Sequence, residues 1–161
     1  MEAVTMRDPF KKLWNNCASN AVYKDENGEY TKINSSTNRR RMEGKGSSVA
    51  GPSGEKQKKW TPSKLVVSPD DLRSKFEEQD GKCHWFGIDL DLDLLYRDHP
   101  DWMPKHPLCP SVDKLDGSGD YTYDNIVITC RFANFGRNIY PADRMPALID
   151  LLRSGNGNSK L

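Results

Sequence analysis

One stretch, Pro110 to Asn138, constrains this chain more than any other. It reads PSVDKLDGSGDYTYDNIVITCRFANFGRN, and its periodicity changes along its length. Ser111 to Leu115 is a short alternating segment, Asp116 to Asp120 is a turn rich in Gly, Ser and Asp, and Ile126 to Ile128 is a second apolar run. Successive side chains on a strand point to opposite faces, so these pieces predict two strands joined by a loop. After Thr129 the spacing lengthens to three or four residues, at Phe132, Phe135, Gly136 and Ile139, which predicts a helix starting near Cys130. The expected unit is β-β-α.

The polar residues give that unit its chemistry. Asp113 stands at the end of the first predicted strand and Asn134 one turn into the helix. Both offer hard oxygen ligands from rigid elements, which suits one divalent cation such as Mg²⁺, or Mn²⁺, that keeps most of its waters. Lys114, Arg131 and Arg137 add positive charge around the same point. A metal beside fixed cations is what phosphodiester chemistry needs, because charge builds on the phosphate and leaving-group oxygens in the transition state. The alternative for the same residues is a plain hairpin with a solvated Asp and a capping Asn.

The stretch resembles the HNH, or ββα-metal, endonuclease family. The likeness is to a phage-type branch with a Cys-x-x-x-Gly-Ile segment, then Pro-Ser-x-Asp-Arg-x-Asp, Gly-Tyr-x-x-x-Asn and Ala-Asn-x-x-Lys. The corresponding pieces here are Cys83 to Ile88 (CHWFGI), Pro110 to Asp116 (PSVDKLD), Asp120 to Asn125 (DYTYDN) and Ala133 to Arg137 (ANFGR), in that order between Gly81 and Tyr140. The resemblance implies that Asp113 and Asn134 are metal ligands and that Asn125 ties the loop to the strand without touching substrate. It also implies Mg²⁺ as cofactor and DNA as partner. Most of the family has a His as general base directly after the Asp; this chain has Lys114 there. Lys114 can act as a base with a lowered pKa, as a cation that steadies the phosphate, or mark a retained fold without activity. The replacement histidines available are His84, His99 and His106, and His84 and His106 lie near enough in sequence to reach the site.

Composition sets the outer bounds. The 161 residues carry a formal net charge of only +1, yet Met1 to Lys64 holds thirteen Lys and Arg against seven Asp and Glu, while Asp70 to Asp120 is acidic. The near-neutral total therefore hides a basic N-terminal region, and the objection it would raise to a nucleic-acid partner falls. Within that region, Val22 to Ile33 has β-prone residues flanking Asn27-Gly28, a strong hairpin signal; Phe10, Trp14 or nucleic acid is its expected docking partner. Arg39, Arg40 and Arg41 precede a Gly/Ser-rich segment and then Lys56, Lys58 and Lys59, which together read as a flexible basic linker. The Arg triplet, Lys58, Lys59 and Arg131 are the expected phosphate contacts, with a grip that weakens in salt. No apolar run spans a bilayer and no secretory signal follows Lys11 and Lys12, so an intracellular, soluble protein with no membrane partner is expected.

Other segments predict support for the core. Ser68-Pro69-Asp70-Asp71 has the cap, first-turn Pro and acids of a helix N-terminus, with Leu72 and Phe76 on one face and a stop at Gly81. Trp85, Phe86 and Ile88 are expected in the core. Asp89, Asp91 and Asp93 alternate with Leu90, Leu92 and Leu94, predicting an exposed strand or turn with the leucines inward. Asp98 to Pro110 is a Pro-rich surface loop in which Trp102, Lys105 and His106 could reach substrate. Pro141-Ala142-Asp143 opens a last helix with a stripe of Met145, Leu148, Leu151 and Leu152. Cys17, Cys83, Cys109 and Cys130 stand singly, which predicts buried free thiols; structural Zn²⁺ through Cys83, Cys130 and Cys109 with His84 is the lesser alternative.

Together these features predict an α+β chain: a basic arm over residues 1–64, an HNH-like ββα-metal domain with flanking helices over 65–155, and a polar tail over 156–161. The expected activity is metal-dependent DNA endonucleolysis, with Asp113, Lys114, Asn125, Asn134, Arg137 and His106 at the site. The alternative is a catalytically silent DNA-binding or virion-associated protein of the same fold.

Overall fold

Strand β1 (Pro110–Lys114) and strand β2 (Ile126–Cys130) pair antiparallel, with Asp113 opposite Val127 and Lys114 opposite Ile126. A computed structural model describes residues 7–31, 61–97, 105–138 and 140–154. Arg39, Arg40, Arg41, Lys58, Lys59, His99, Trp102 and Ile139 lie outside the described residues, as does the side chain of Leu151. Helix α3 (Arg131–Arg137) follows β2 directly, with Cys130 as its cap residue, so two strands and a helix come from one continuous stretch.

A two-stranded ribbon is marginal in water, and this one is covered on both sides. All five residues of β2 are buried. Helix α1 (Pro9–Ala18), helix α2 (Pro69–Glu78) and helix α4 (Met145–Ser154) complete the described helices, giving a small α+β fold. Helix α2 begins with a capping box: Ser68 Oγ accepts from the Asp71 N–H at 3.2 Å, and Asp71 Oδ2 accepts from the Ser68 N–H at 2.7 Å. It ends in the left-handed pair Asp80 and Gly81, and Leu72 on its inner face is fully buried.

Behind α2, Gln79 closes the free edge of the sheet. Its Oε1 accepts from the Ile128 N–H at 2.8 Å, and its Nε2 donates to the Ile128 carbonyl at 2.7 Å and to the Lys82 carbonyl at 2.9 Å. One side-chain amide thus stands where a third strand would offer its peptide, which removes an exposed strand edge.

The region ahead of residue 65 is not an arm throughout. Asp8 caps α1 by accepting from the Phe10 N–H at 2.9 Å, Pro9 fills the first turn, and Phe10, Leu13 and Cys17 enter the common core. Trp14 meets the ring of Tyr23 edge-on at 4.8 Å and donates its indole N–H to the Val67 carbonyl at 2.8 Å. That contact seats the Asn27-Gly28 turn, where Asp25 Oδ1 accepts from the N–H groups of Asn27 and Glu29 and Gly28 supplies a positive φ.

Asp89 to Leu95 takes the turn alternative of the sequence reading: Asp91 caps a short 3₁₀ turn, Leu92–Leu95, with Leu90 and Leu95 inward. One boundary differs from the sequence reading. Residues Ala142–Arg144 form another 3₁₀ turn, and α4 proper starts at Met145, burying Met145 and Ile149 and leaving Leu152 exposed. No helix among the described residues is long and apolar enough to cross a membrane.

Gln79→Ala leaves the buried Ile128 N–H without its acceptor, a loss worth about 1–3 kcal/mol when unsatisfied, while the Ile128 carbonyl keeps the bond from the His84 N–H at 3.0 Å. The expected outcome is a lowered urea midpoint at unchanged m-value; a midpoint equal to that of the parent chain shows that water replaces Gln79 freely.

Candidate functional site

The side chains of Asp113 and Lys114, adjacent on β1, go opposite ways because strand residues alternate in direction. Asp113 turns into the interior, where it is 5% exposed. Arg137, at the end of α3, meets it with two parallel bonds, Nε to Oδ2 at 2.6 Å and Nη2 to Oδ1 at 2.8 Å. The indole N–H of Trp85 also donates to Oδ2, at 3.0 Å, and the Lys114 N–H donates to Oδ1 at 2.9 Å. Arg137 also donates to the carbonyls of Tyr140 and Lys114, so four of its five N–H groups have partners. The bonds from Asp113 are the main cause that holds the guanidinium pKa above its ordinary value.

Asn134 occupies a different place. Its Nδ2 donates to Ser111 Oγ and to the Val112 carbonyl, both at 2.9 Å, pinning α3 across β1. It borders a groove of about 900 Å³ whose lining includes Lys114, Asn134, Arg131, Lys105, Ser63 and Tyr121. Asp113 and Arg137 are not part of that lining. The carboxylate is therefore committed to Arg137 and Trp85 on one side of β1 while the amide faces the other. As arranged, the pair does not fit a shared Mg²⁺: both carboxylate oxygens already accept two donors each, in a pocket where a cationic guanidinium fills the ligand position. Among the described residues no group of three or more His, Cys, Asp or Glu is placed to hold a metal.

Lys114 is the residue the groove is built around. Its ammonium donates to Ser63 Oγ at 2.6 Å and to the Gly119 carbonyl at 2.7 Å, and sits 4.9 Å from the centre of the Tyr121 ring. Burial pushes its pKa down, and the nearby Asp116, Asp120 and Asp113 oppose that shift. Both hydrogen-bond partners accept from it, an arrangement that favours the protonated amine over the free base. Ser63 is 51 residues away in sequence and was not signalled by any local pattern.

Asn125 locks the loop that places the Gly119 carbonyl. Its Oδ1 accepts from the Asp116 N–H at 2.8 Å, and its Nδ2 donates to the carbonyls of Asp116 and Asp120 at 3.1 and 2.9 Å. A Cβ at Gly119 would lie 2.8 Å from Asn125 Nδ2, so any larger residue there displaces the Asn125 amide from the loop it holds. The loop is also tied to the segment before α2: Asp120 Oδ1 accepts from the Lys64 N–H at 2.7 Å, and Tyr121 exchanges backbone bonds with Lys64, Val66 and Val67.

Arg131 lies on the groove with its guanidinium 4.2 Å from the centre of the Phe135 ring. Phe132 and Phe135 point outward, 62% and 63% exposed, because the inner side of α3 is given to Ala133 and Arg137. His106 turns its Nδ1 to the Leu108 N–H at 3.1 Å, within the bend before β1, and is not part of the groove lining. His84 lies against Trp85 on the far side. All four cysteines are buried free thiols. Burial pushes Cys17 up to about 12, and Cys83 accepts the Thr129 hydroxyl or donates to it at 3.1 Å.

Removing one partner of a buried, hydrogen-bonded ion pair costs about 3–5 kcal/mol. Asp113→Asn and Asp113→Ala are both expected to lower the melting temperature strongly in metal-free buffer. A melt equal to the parent chain's under those conditions would show that the pair with Arg137 is not what holds Asp113.

Comparison with protein-family models, with curated proteins and with solved structures gives no match to this chain in any of the three.

Proposed function

We propose that this chain is a nucleic-acid-binding protein of the ββα-metal, HNH-like kind, which grips the phosphodiester backbone in the groove around Lys114. The observation that carries this reading is the lining of the groove: Lys114, Lys105 and Arg131 contribute three cations, hydroxyl and amide side chains surround them, and among the described residues no Asp or Glu is part of it. Such a surface matches phosphate oxygens in charge and in hydrogen-bond donors, with no need for a sequence contact. Ser63 and the Gly119 carbonyl hold the Lys114 ammonium in place, so little side-chain freedom is lost when a phosphate docks.

A second reading, a metal-dependent DNA endonuclease, is favoured by the β-β-α order itself and by the Asn125 lock on the loop. It requires Asp113 to leave Arg137 and Trp85, and the buried pair opposes that. The engagement of Asp113 is why binding ranks above hydrolysis here.

Supercoiled plasmid with Mg²⁺ or Mn²⁺ separates the two. The expected result is intact plasmid together with salt-dependent binding by fluorescence anisotropy, in which Lys114→Ala lowers the slope of log K against log salt by about 0.7–0.9 while Lys114→Arg keeps it. Metal-dependent nicking that disappears in Asp113→Asn would overturn the binding reading in favour of the nuclease. Salt-independent binding, or none, would overturn both the groove and its cations as the site.

A further inference from the structure

The extended segment before α2 borders two concave surfaces. Ser63 lines the Lys114 groove, and the next residue, Lys64, lines a separate cleft of about 550 Å³ that α1 borders with Lys11 and Trp14 and that Tyr23, Lys24 and Tyr30 border from either side of the Asn27-Gly28 turn. Three lysines, Lys11, Lys24 and Lys64, and three aromatic residues, Trp14, Tyr23 and Tyr30, are among its lining residues. Among the described residues no carboxylate is part of that lining and none forms an ion pair with these lysines. The lysines stand over rings: Lys11 is 4.9 Å from the centre of the Trp14 ring, and Lys24 and Lys64 are 5.8 and 5.5 Å from that of Tyr30.

The aromatic residues divide into two roles. Trp14 is fixed by the Val67 carbonyl and by Tyr23, which it meets edge-on, so this pair forms the wall. Tyr30 is 50% exposed and stands at the open side with Lys24 and Lys64 beside it. Cations that no described carboxylate pairs, set around a half-exposed ring, suit a ligand that is both anionic and flat. A nucleotide has both parts: the base stacks on a ring, and the phosphate takes the ammonium groups.

We propose that this cleft is a second nucleic-acid subsite, which stacks an unpaired base on Tyr30 and binds the adjoining phosphate through Lys24 and Lys64, with Lys11 at its far side. Unpaired bases are the fitting class because a base inside a duplex has both faces covered by its neighbours. The site is distinct from the Lys114 groove and reaches further than it, since it selects single strands where the groove contacts only backbone.

The test measures anisotropy of fluorescein-labelled dT15 and of a 15-base-pair duplex with the full chain. Tyr30→Ala is expected to weaken dT15 binding about 5- to 100-fold with a much smaller effect on duplex, and Tyr30→Phe to restore it to within about twofold. Lys24→Ala and Lys64→Ala are each expected to lower the single-strand salt slope by about 0.7. Free thymidine monophosphate supplies the other arm: NMR shifts at Tyr30 at millimolar nucleotide identify a mononucleotide site, and dT15 binding without such shifts identifies a strand site, both within the proposal. Binding of dT15 that Lys114→Ala weakens while Tyr30→Ala, Lys24→Ala and Lys64→Ala leave it unchanged overturns this subsite and leaves the groove standing. Loss in the Tyr30 and lysine variants alone supports the subsite and removes the groove. Concentration-dependent self-association abolished by Tyr30→Ala, with no nucleic-acid effect, overturns the subsite in favour of a contact between copies.

Discussion

The buried ion pair between Asp113 and Arg137 is the interaction on which the rest of the site depends. A carboxylate this deep needs its charge met and its lone pairs filled. Arg137 meets the charge with a two-bond fork, and Trp85 and a backbone N–H fill the remaining positions. The pair spans the hairpin and the end of α3, so it fixes the angle at which the helix crosses β1. Asn134, one turn earlier on that helix, is thereby brought over Ser111 and Val112. The groove on the other side of β1 takes its shape from the same crossing.

Alternation along β1 then separates two kinds of chemistry. The side that carries Asp113 is buried. The side that carries Lys114 is open, and its ammonium donates to two neutral acceptors, Ser63 Oγ and the Gly119 carbonyl, with the charges of Asp116, Asp120 and Asp113 nearby. Stabilisation of the fold and presentation of charge are thus assigned to adjacent residues, and the two are joined through the Lys114 backbone, whose N–H donates to Asp113 and whose carbonyl accepts from Arg137.

The loop between the strands links this site to the segment before α2. Asn125 gathers the loop's backbone, Gly119 gives it room, and Asp120 and Tyr121 tie it to Lys64, Val66 and Val67. The same segment borders the Tyr30 cleft. A strand of nucleic acid held in both places would cross one short stretch of backbone, with phosphate contacts on each side of it.

Local pattern determined much of this in advance. The change of period between Ser111 and Ile139 is enough for two strands and a helix, because strand and helix repeats are properties of the backbone; the Ser68 cap and the Asn27-Gly28 turn are equally local. Pattern also singled out Asp113, Lys114, Asn125, Asn134, Arg131 and Arg137. It could not say which of them meet. Arg137 reads from sequence as a surface cation near a phosphate, and folding makes it the partner of Asp113. Ser63, the partner of Lys114, carries no local signal, and α1 reads as part of an arm although Leu13 is almost wholly buried. These outcomes are pairings between residues far apart in sequence, set by which side of β1 each element covers. Only tertiary packing decides them, because burial turns a solvated charge into one that must find its counter-charge inside the fold.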